Sequence, residues 1–478
     1  MKKKYDLVRK HLVVCCICAF CTLFWGCSDK SRDMTSEENT ANTIITAANG
    51  EFKIDGNGVT VSDNNVVTIN KGGIYELCGV MEDGQVLVKV NKKEEVQLIL
   101  NNITISCSFG SAIYVEKAGT TTITVKNETI NNLVETADYQ YSDKSIEEQD
   151  AALFSSDNMV INGKGKLIVI GNYCHGIKAK DSLQIDNVDI TITAKEDGIN
   201  VNDEYVQNSG SLNIDAGDDG IHSTLTLTVN GGSQVINRCY EGLESEQILI
   251  REGNISIIAD DDGMNATASE NGSTCYISIE GGTISITAKG DGIDSNGNIK
   301  MSAGDVEIYG PTNDGNGSID FEKDFILTGG TILAVGSSGM AMTSGSSSTQ
   351  PGLMIYFDQN QTAGTQLQIV TVDNEVITTI HSLTDFKCVY FSTSSMKQGD
   401  SYTVLCNGAE LCEVTMSNEK INTLISSDGT TVNGGMMGGP GEFSPGGNRP
   451  NRPTDFKPNN LPEDFEPGDT PSMDLPQR

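Results

Sequence analysis

Seven related words recur along the chain: CHGIKA (174–179), EDGINV (196–201), DDGIHS (218–223), YEGLES (240–245), DDGMNA (261–266), GDGIDS (290–295) and NDGNGS (313–318). Six of them set a carboxylate directly before a glycine, at Asp197, Asp219, Glu241, Asp262, Asp291 and Asp314. Three residues after the acid stand Asn200, His222, Glu244, Asn265 and Asp294, while Asp218 and Asp261 double the acid and Glu196 and Asp260 add more close by. Carboxylate and amide oxygens at this density are hard donors, the chemistry of a hard divalent cation. Calcium takes about six to eight oxygens at roughly 2.3–2.6 Å in a flexible shell, whereas magnesium demands a strict octahedron, so a drawn-out line of acids suits calcium better.

The spacing says what would hold the acids in line. Gly176, Gly198, Gly220, Gly242, Gly263, Gly292 and Gly315 stand 22, 22, 22, 21, 29 and 23 residues apart, a period that belongs to the coil of a solenoid. Within one period (181–202) Leu183, Ile185, Val188, Ile190, Ile192, Ile199 and Val201 alternate with polar residues, and Asn, Asp and Gly break the runs. Short runs of period two are strands, and three of them in about 22 residues make one turn of a parallel β-helix. The polar TASENGST (267–274) explains the longest interval as an insertion at a corner, and the acidic ETADYQYSDKSIEEQD (135–150) is another interruption. The same alternation reaches back to about Val66. The expected fold is all-β: a parallel β-helix over 50–345, then a small antiparallel β cap over 346–425 that covers the open end. Residues 426–478 are Pro/Gly-rich and poor in apolar residues, the composition of a disordered tail.

In such a fold equivalent positions stack at the strand spacing of about 4.7–4.9 Å. The residues before the glycines then form one column, His175, Asp197, Asp219, Glu241, Asp262, Asp291 and Asp314. The residues two beyond the glycines form a second, Lys178, Asn200, His222, Glu244, Asn265 and Asp294. The glycine is expected to turn the corner with positive φ, and the following Ile, Leu or Met to point inward. Two carboxylates at that separation repel by roughly 1 kcal/mol in water and by several times more at a lower effective dielectric. The expected cofactor is therefore Ca2+, held by Asp197, Asn200, Asp218, Asp219, Glu241, Glu244, Asp261, Asp262, Asn265, Asp291, Asp294 and Asp314. A plainer role is open to any Asp-Gly acid, which commonly accepts backbone N–H groups at a turn; six in register with doubled acids favour metal. His175 and Lys178 occupy the first coil, and calcium binding is not extended to it.

Residues 1–26 read as an export signal, with five basic residues ahead of the apolar LVVCCICAFCTLFW, a run short for a membrane span. FWGCSDKS resembles the cleavage box of bacterial lipoproteins, with Cys27 as the lipidated residue; 27–49 then reads as a polar tether, and the chain as a lipoprotein of the outer membrane or cell surface, the alternative being secretion without lipid. Cleavage there moves the formal charge from −33 to −37, which argues against a nucleic-acid partner. Of the 13 cysteines, eight lie beyond Cys27, and none shows CxxC or Cys/His metal spacing, so they read as small buried hydrophobes.

The succession DGIHS, YEGLES, DDGMNA, GDGIDSNGNI, GPTNDGNGSIDFE, LTGGTILAVGSSGMAM and SSSTQPGL resembles the carbohydrate-binding β-helix family of bacterial surface proteins, sometimes described as polysaccharide-lyase-like. The resemblance spans about Val66 to Cys412. It implies a right-handed helix, bound calcium and affinity for plant cell-wall polysaccharides, acidic ones above all. The one Trp lies in the signal, so an aromatic platform would need Tyr173, Tyr205, Tyr240, Tyr276 or Tyr309, each of which also reads as turn packing. The rival function is a calcium-dependent uronate lyase, which needs a basic group to remove the proton α to the carboxylate. Arg238 is the candidate, with a salt bridge to the acidic ladder as its plainer reading; a purely structural adhesin is the third possibility. The expectation is a monomeric binder of acidic polysaccharide without catalytic residues, its sugar-binding positions not readable from the sequence.

Overall fold

A computed structural model of the chain describes residues 41–136, 149–268 and 274–432. The export signal, Cys27, the first part of the tether, the centres of the two interruptions and residues 433–478 lie outside the described residues.

The alternating segments form strands, and there is no helix among the described residues. Three ladders of parallel strands run side by side, and each strand pairs with the equivalent strands of the coils before and after it. One ladder, here the acidic sheet, runs through Ala151–Ser155, His175–Ala179, Ile199–Val201 and on to Ile319–Phe321. A second runs through Asn158–Gly163, Leu183–Asp186 and Glu204–Gln207 to Asp324–Leu327. The third runs through Lys166–Gly171, Asp189–Ala194 and Ser211–Ala216 to Thr331–Gly336. The architecture is a β-helix-like solenoid.

Parallel pairing starts earlier than expected. Thr43–Ala48 runs parallel to Gly73–Met81 and buries Ile45, so the end of the stretch read as tether belongs to the solenoid. At the other end Phe386–Thr393 pairs antiparallel with Thr331–Gly336 and with Gly352–Gln361, and a separate antiparallel sheet joins Val376–His381, Gln366–Thr371, Ser401–Cys406 and Ala409–Thr415. Ser427, inside the expected tail, still donates its N–H to Tyr356 O at 2.7 Å.

Inward side chains stack into apolar columns. Ile177, Ile199, Ile221, Leu243, Met264, Ile293 and Ile319 follow one another in the acidic sheet, all essentially without exposure. Each outward neighbour is thereby fixed, because the strand period is two and a slip by one residue would turn this column to solvent.

The glycines before this column do not do what the turn argument expects. None of Gly176, Gly198, Gly220, Gly242, Gly263 and Gly292 has positive φ. A Cβ on Gly220 would lie 2.7 Å from Gly242 O and 2.8 Å from Ile236 Cδ1, so the requirement is close packing between coils and against the third sheet. Left-handed glycines form a different column, Gly210, Gly232, Gly253, Gly282, Gly304 and Gly330, ahead of the third sheet.

Candidate metal centre

The strand register builds the second acidic column as Lys178, Asn200, His222, Glu244, Asn265, Asp294 and Asp320, each paired with the next. The first column is set by the backbone. The N–H groups of Gly176, Gly198, Gly220, Gly242 and Gly263 donate to the carbonyls of Asp197, Asp219, Glu241, Asp262 and Asp291. A third line lies one residue earlier, where Tyr240, Asp261 and Gly290 donate in turn to Asp218, Tyr240 and Asp261.

Asp314 is the exception among the expected ligands. Ile293 pairs with Ile319, and Gly292 N–H donates to Gly317 O, so the last rung is Gly317-Ser318-Ile319-Asp320 and Asp314 sits exposed in the preceding loop. The inward aliphatic residue, not the Asp-Gly pair, decides register; "GSID" carried that signal. Asp320 is the acid missed.

The side chains link rungs in two ways. Asp197 Oδ1 accepts the backbone N–H of Asp219 at 3.1 Å, Asp262 Oδ1 that of Asp291 at 2.6 Å, and Asp291 Oδ1 that of Gly317 at 2.5 Å. These are the turn hydrogen bonds of the plainer reading. The second link is between side chains: Asn265 Nδ2 donates to Glu241 Oε2 of the previous rung at 3.0 Å and His222 Nδ1 meets Glu244 Oε2 of the next at 2.8 Å, while within single rungs Asn200 Nδ2 donates to Asp197 Oδ2 at 2.6 Å and His222 Nδ1 lies 3.4 Å from Asp219 Oδ2.

Three groups along the ladder bring one donor atom from each member to within 4.8 Å of the others: Asp197, Asp218 and Asp219; Asp219, His222 and Glu244; and Asp262, Asp291 and Asp294. In the middle group burial pushes Asp219 well above the usual carboxylate range, an effect that His222 partly offsets and Asp197 and Glu244 reinforce. Burial alone would lower His222, but hydrogen bonds to Asp219 and Glu244 overrule it and hold the imidazole up to about 10. His222 is thus a cation built into that rung.

Among the described residues no such cation serves the third group. Burial first, then Asp291, Asp261 and Asp294, raise Asp262 to about 9. Asp294 rises to about 8 through burial, Asp291 and Asp320, and Asp291 to about 7 through burial, with the Gly317 N–H pulling the other way. Asn265, the register partner of Asp294, is buried and its Oδ1 has no hydrogen-bond partner among the described residues; Asp219 Oδ1 is in the same condition. At Gly290 a Cβ would overlap Asp261 Oδ1 and Asp262 Oδ1, so the missing side chain leaves room beside these carboxylates. Crowded acids, an unpaired amide oxygen and a glycine that keeps space open fit a hard cation with a flexible oxygen shell.

The other candidates separate clearly. Tyr205 is fully buried and Tyr309 nearly so, its hydroxyl donating to Glu307 Oε2 at 3.0 Å, which leaves Tyr173, Tyr240 and Tyr276 half-buried. Arg238 pairs in register with Asp215 on the third sheet, at a bulge after Ile214; burial raises the Asp215 carboxyl above its usual range, and Arg238 offsets that only in part.

A family model described as carbohydrate-binding domain-containing protein matches residues 63–226 and 219–437. A carbohydrate-binding domain-containing protein of Acetivibrio thermocellus is 30% identical over 172 residues, which cover 35% of this chain and 60% of that protein; the chain thus spans about three-fifths of the curated relative it matches. A solved structure, a polysaccharide lyase-like protein from C. thermocellum in a gadolinium derivative, shares 25% identity over 60% of this chain and 96% of its own, with a TM-score of 0.39.

Proposed function

The chain belongs to the carbohydrate-binding domain-containing protein family, and we propose that it binds an acidic polysaccharide of plant cell-wall type through calcium held on the acidic sheet, without catalysis. The observation that carries this reading is the third group: Asp262, Asp291 and Asp294 crowd together, and Asn265, the register partner of Asp294, keeps a buried Oδ1 without a hydrogen-bond partner among the described residues. These four residues would hold the ion, with Asp261 and Asp320 adding charge nearby. Asp197, Asp218 and Asp219 would form a second locus, with Asn200 and Glu241 as flanking polar groups. Bound calcium would supply positive field where a chain of formal charge −33 would otherwise repel an acidic sugar. The chain's own part is to fix the donors on a rigid ladder and to keep space open at Gly290.

The finer architecture belongs to the same proposal: right-handed coils of about 22 residues, supported by register partners such as Lys178, Asn200, His222 and Glu244. So does the setting, a monomer anchored in the cell envelope by lipid on Cys27; mass spectrometry of the native N-terminus tests it, and an unlipidated chain that starts elsewhere would refute it.

Binding to polygalacturonate, followed with calcium and with excess chelator, tests the function. Binding that requires calcium, with no growth of the ultraviolet absorbance of an unsaturated product, is the expected result. Sustained absorbance growth would assign the lyase instead, and binding indifferent to the chelator would remove calcium from the account.

A further inference from the structure

At the head of the ladder the donor chemistry changes. Asp150, Cys174 and His175 bring one donor atom each to within 4.8 Å of the others. They come from two coils: Ala151 pairs with His175, and the His175 N–H donates to Asp150 O at 2.9 Å, which sets Asp150 against the Cys174-His175 pair. Asp150 Oδ2 takes the Lys178 ammonium at 2.6 Å, while Asp150 Oδ1 is buried and has no hydrogen-bond partner among the described residues. Cys174 Sγ donates to Glu196 Oε2 at 3.1 Å from the following coil. His175 Nε2 faces Asp150 Oδ2 at 3.9 Å, and its Nδ1 lies 3.3 Å from Asp197 Oδ2.

We propose that Asp150, Cys174 and His175 form a separate site for a borderline metal ion of the zinc class, with Glu196 as the nearest further donor. Thiolate sulfur and imidazole nitrogen select such ions, through bonds of partly covalent character. Calcium asks for about six or more oxygens and gains nothing from sulfur. The Lys178 ammonium repels any dication alike, and a bond of partly covalent character to the thiolate offsets that repulsion where attraction to oxygens alone offsets it less. Binding releases the Cys174 proton, which passes by way of Glu196 to solvent. Before an ion binds, His175 Nδ1 accepts the backbone N–H of Asp197 at 3.2 Å. With the metal on Nε2 the ring proton moves to Nδ1 and is donated to Asp197 Oδ2, the outer-shell carboxylate that fixes a metal-bound imidazole. The site shares Asp197 with the second calcium locus but no residue with the Asp262, Asp291 and Asp294 group that carries the calcium proposal.

Cobalt(II) tests it on the full mature chain with calcium kept saturating throughout. One equivalent should give a near-ultraviolet thiolate-to-cobalt charge-transfer band together with visible d–d absorption, both displaced by zinc. Cys174→Ser should abolish the charge-transfer band, and His175→Gln should weaken cobalt binding by at least about tenfold. Asp150→Asn, which preserves shape, should do the same and covers the case in which the cysteine variant folds poorly. No band in the wild type, a band that persists in a folded Cys174→Ser, or unchanged cobalt affinity in Asp150→Asn would overturn the proposal. Because calcium saturates every arm, none of these outcomes bears on calcium-dependent sugar binding.

Discussion

Asp262 accepts the backbone N–H of Asp291 on its Oδ1 at 2.6 Å, so the same carboxylate that faces Asp291 and Asp294 electrostatically also splices one coil to the next. An asparagine at either position keeps the accepting oxygen and discards the charge. The double change Asp262→Asn and Asp291→Asn should therefore leave the melting temperature in chelator unchanged or raised. Calcium stabilisation, about 2.7 kcal/mol at a hundredfold excess over Kd, should largely disappear and polygalacturonate affinity fall with it. Calorimetry that shows calcium lost but sugar affinity intact would move the sugar site away from the ladder, to the surface around Tyr173, Tyr240 or Tyr276.

The pH dependence has a definite sign. Asp291, Asp294 and Asp262 are raised to about 7, 8 and 9, above their unfolded values near 4, so the folded chain without calcium binds more protons than the unfolded chain between those limits. Their contribution is fully present below about pH 4 and is lost as pH rises through about 9. Melting in chelator should show this falling component from about pH 4 to about 9, steepest below 7 where all three groups contribute. Calcium affinity should climb over the same span as protons cease to compete. A calcium affinity flat from pH 6 to 9 would contradict the assignment.

His222 gives the middle rung its own positive charge. His222→Asn would leave Glu244 facing a deeply buried Asp219 without a cation, a loss on the scale of about 3–5 kcal/mol for a broken buried pair. The expected outcome is a marked fall in melting temperature in chelator, recovered by calcium, with one more ion bound by calorimetry. Unchanged stoichiometry would show that the imidazole does not stand in a metal's place.

Gly220 tests the packing role of its column. Gly220→Ala should cost about 1–3 kcal/mol through overpacking against Gly242 O and Ile236, although φ at this position suits any residue. Gly408→Ala is the contrast: its Cβ meets nothing within 4 Å, so any cost there comes from its positive φ of 78° alone. Denaturant melts of the two variants separate crowding from backbone strain.

Much of this was legible because the inward aliphatic residue follows the glycine at a constant offset. From Lys178 to Asp294 that offset placed every member of the second column correctly, since one buried column fixes the register of its neighbours. It misled at NDGNGS, where Asp314-Gly315 looks like a rung but no aliphatic residue follows, and the true rung forms around Ile319. The reason for the glycines was misread too, since contact between neighbouring coils decides it and a single word of sequence does not contain that contact. Asp150 was invisible for a related reason: its coil lacks the glycine word, and only strand pairing brings it to Cys174 and His175. His222 was placed, but its charge depends on Asp219, three residues back, together with Glu244, which only strand pairing brings to it from the next coil.

In all three ladders the backbone hydrogen bonds point from one coil to the next, because bonds between paired strands run across the strands. A pull along the solenoid axis therefore loads them in tension, and the weakest coil boundary can peel open strand by strand. A pull across the axis must instead shear a whole strand past its neighbour. Under an axial load the carboxylates that grip the next coil's N–H groups, at Asp197, Asp262 and Asp291, act as rivets at one edge of each joint. Ions shared between coils would fasten that same edge, and a tear would then start away from it, at the other end of the third sheet among the left-handed glycines.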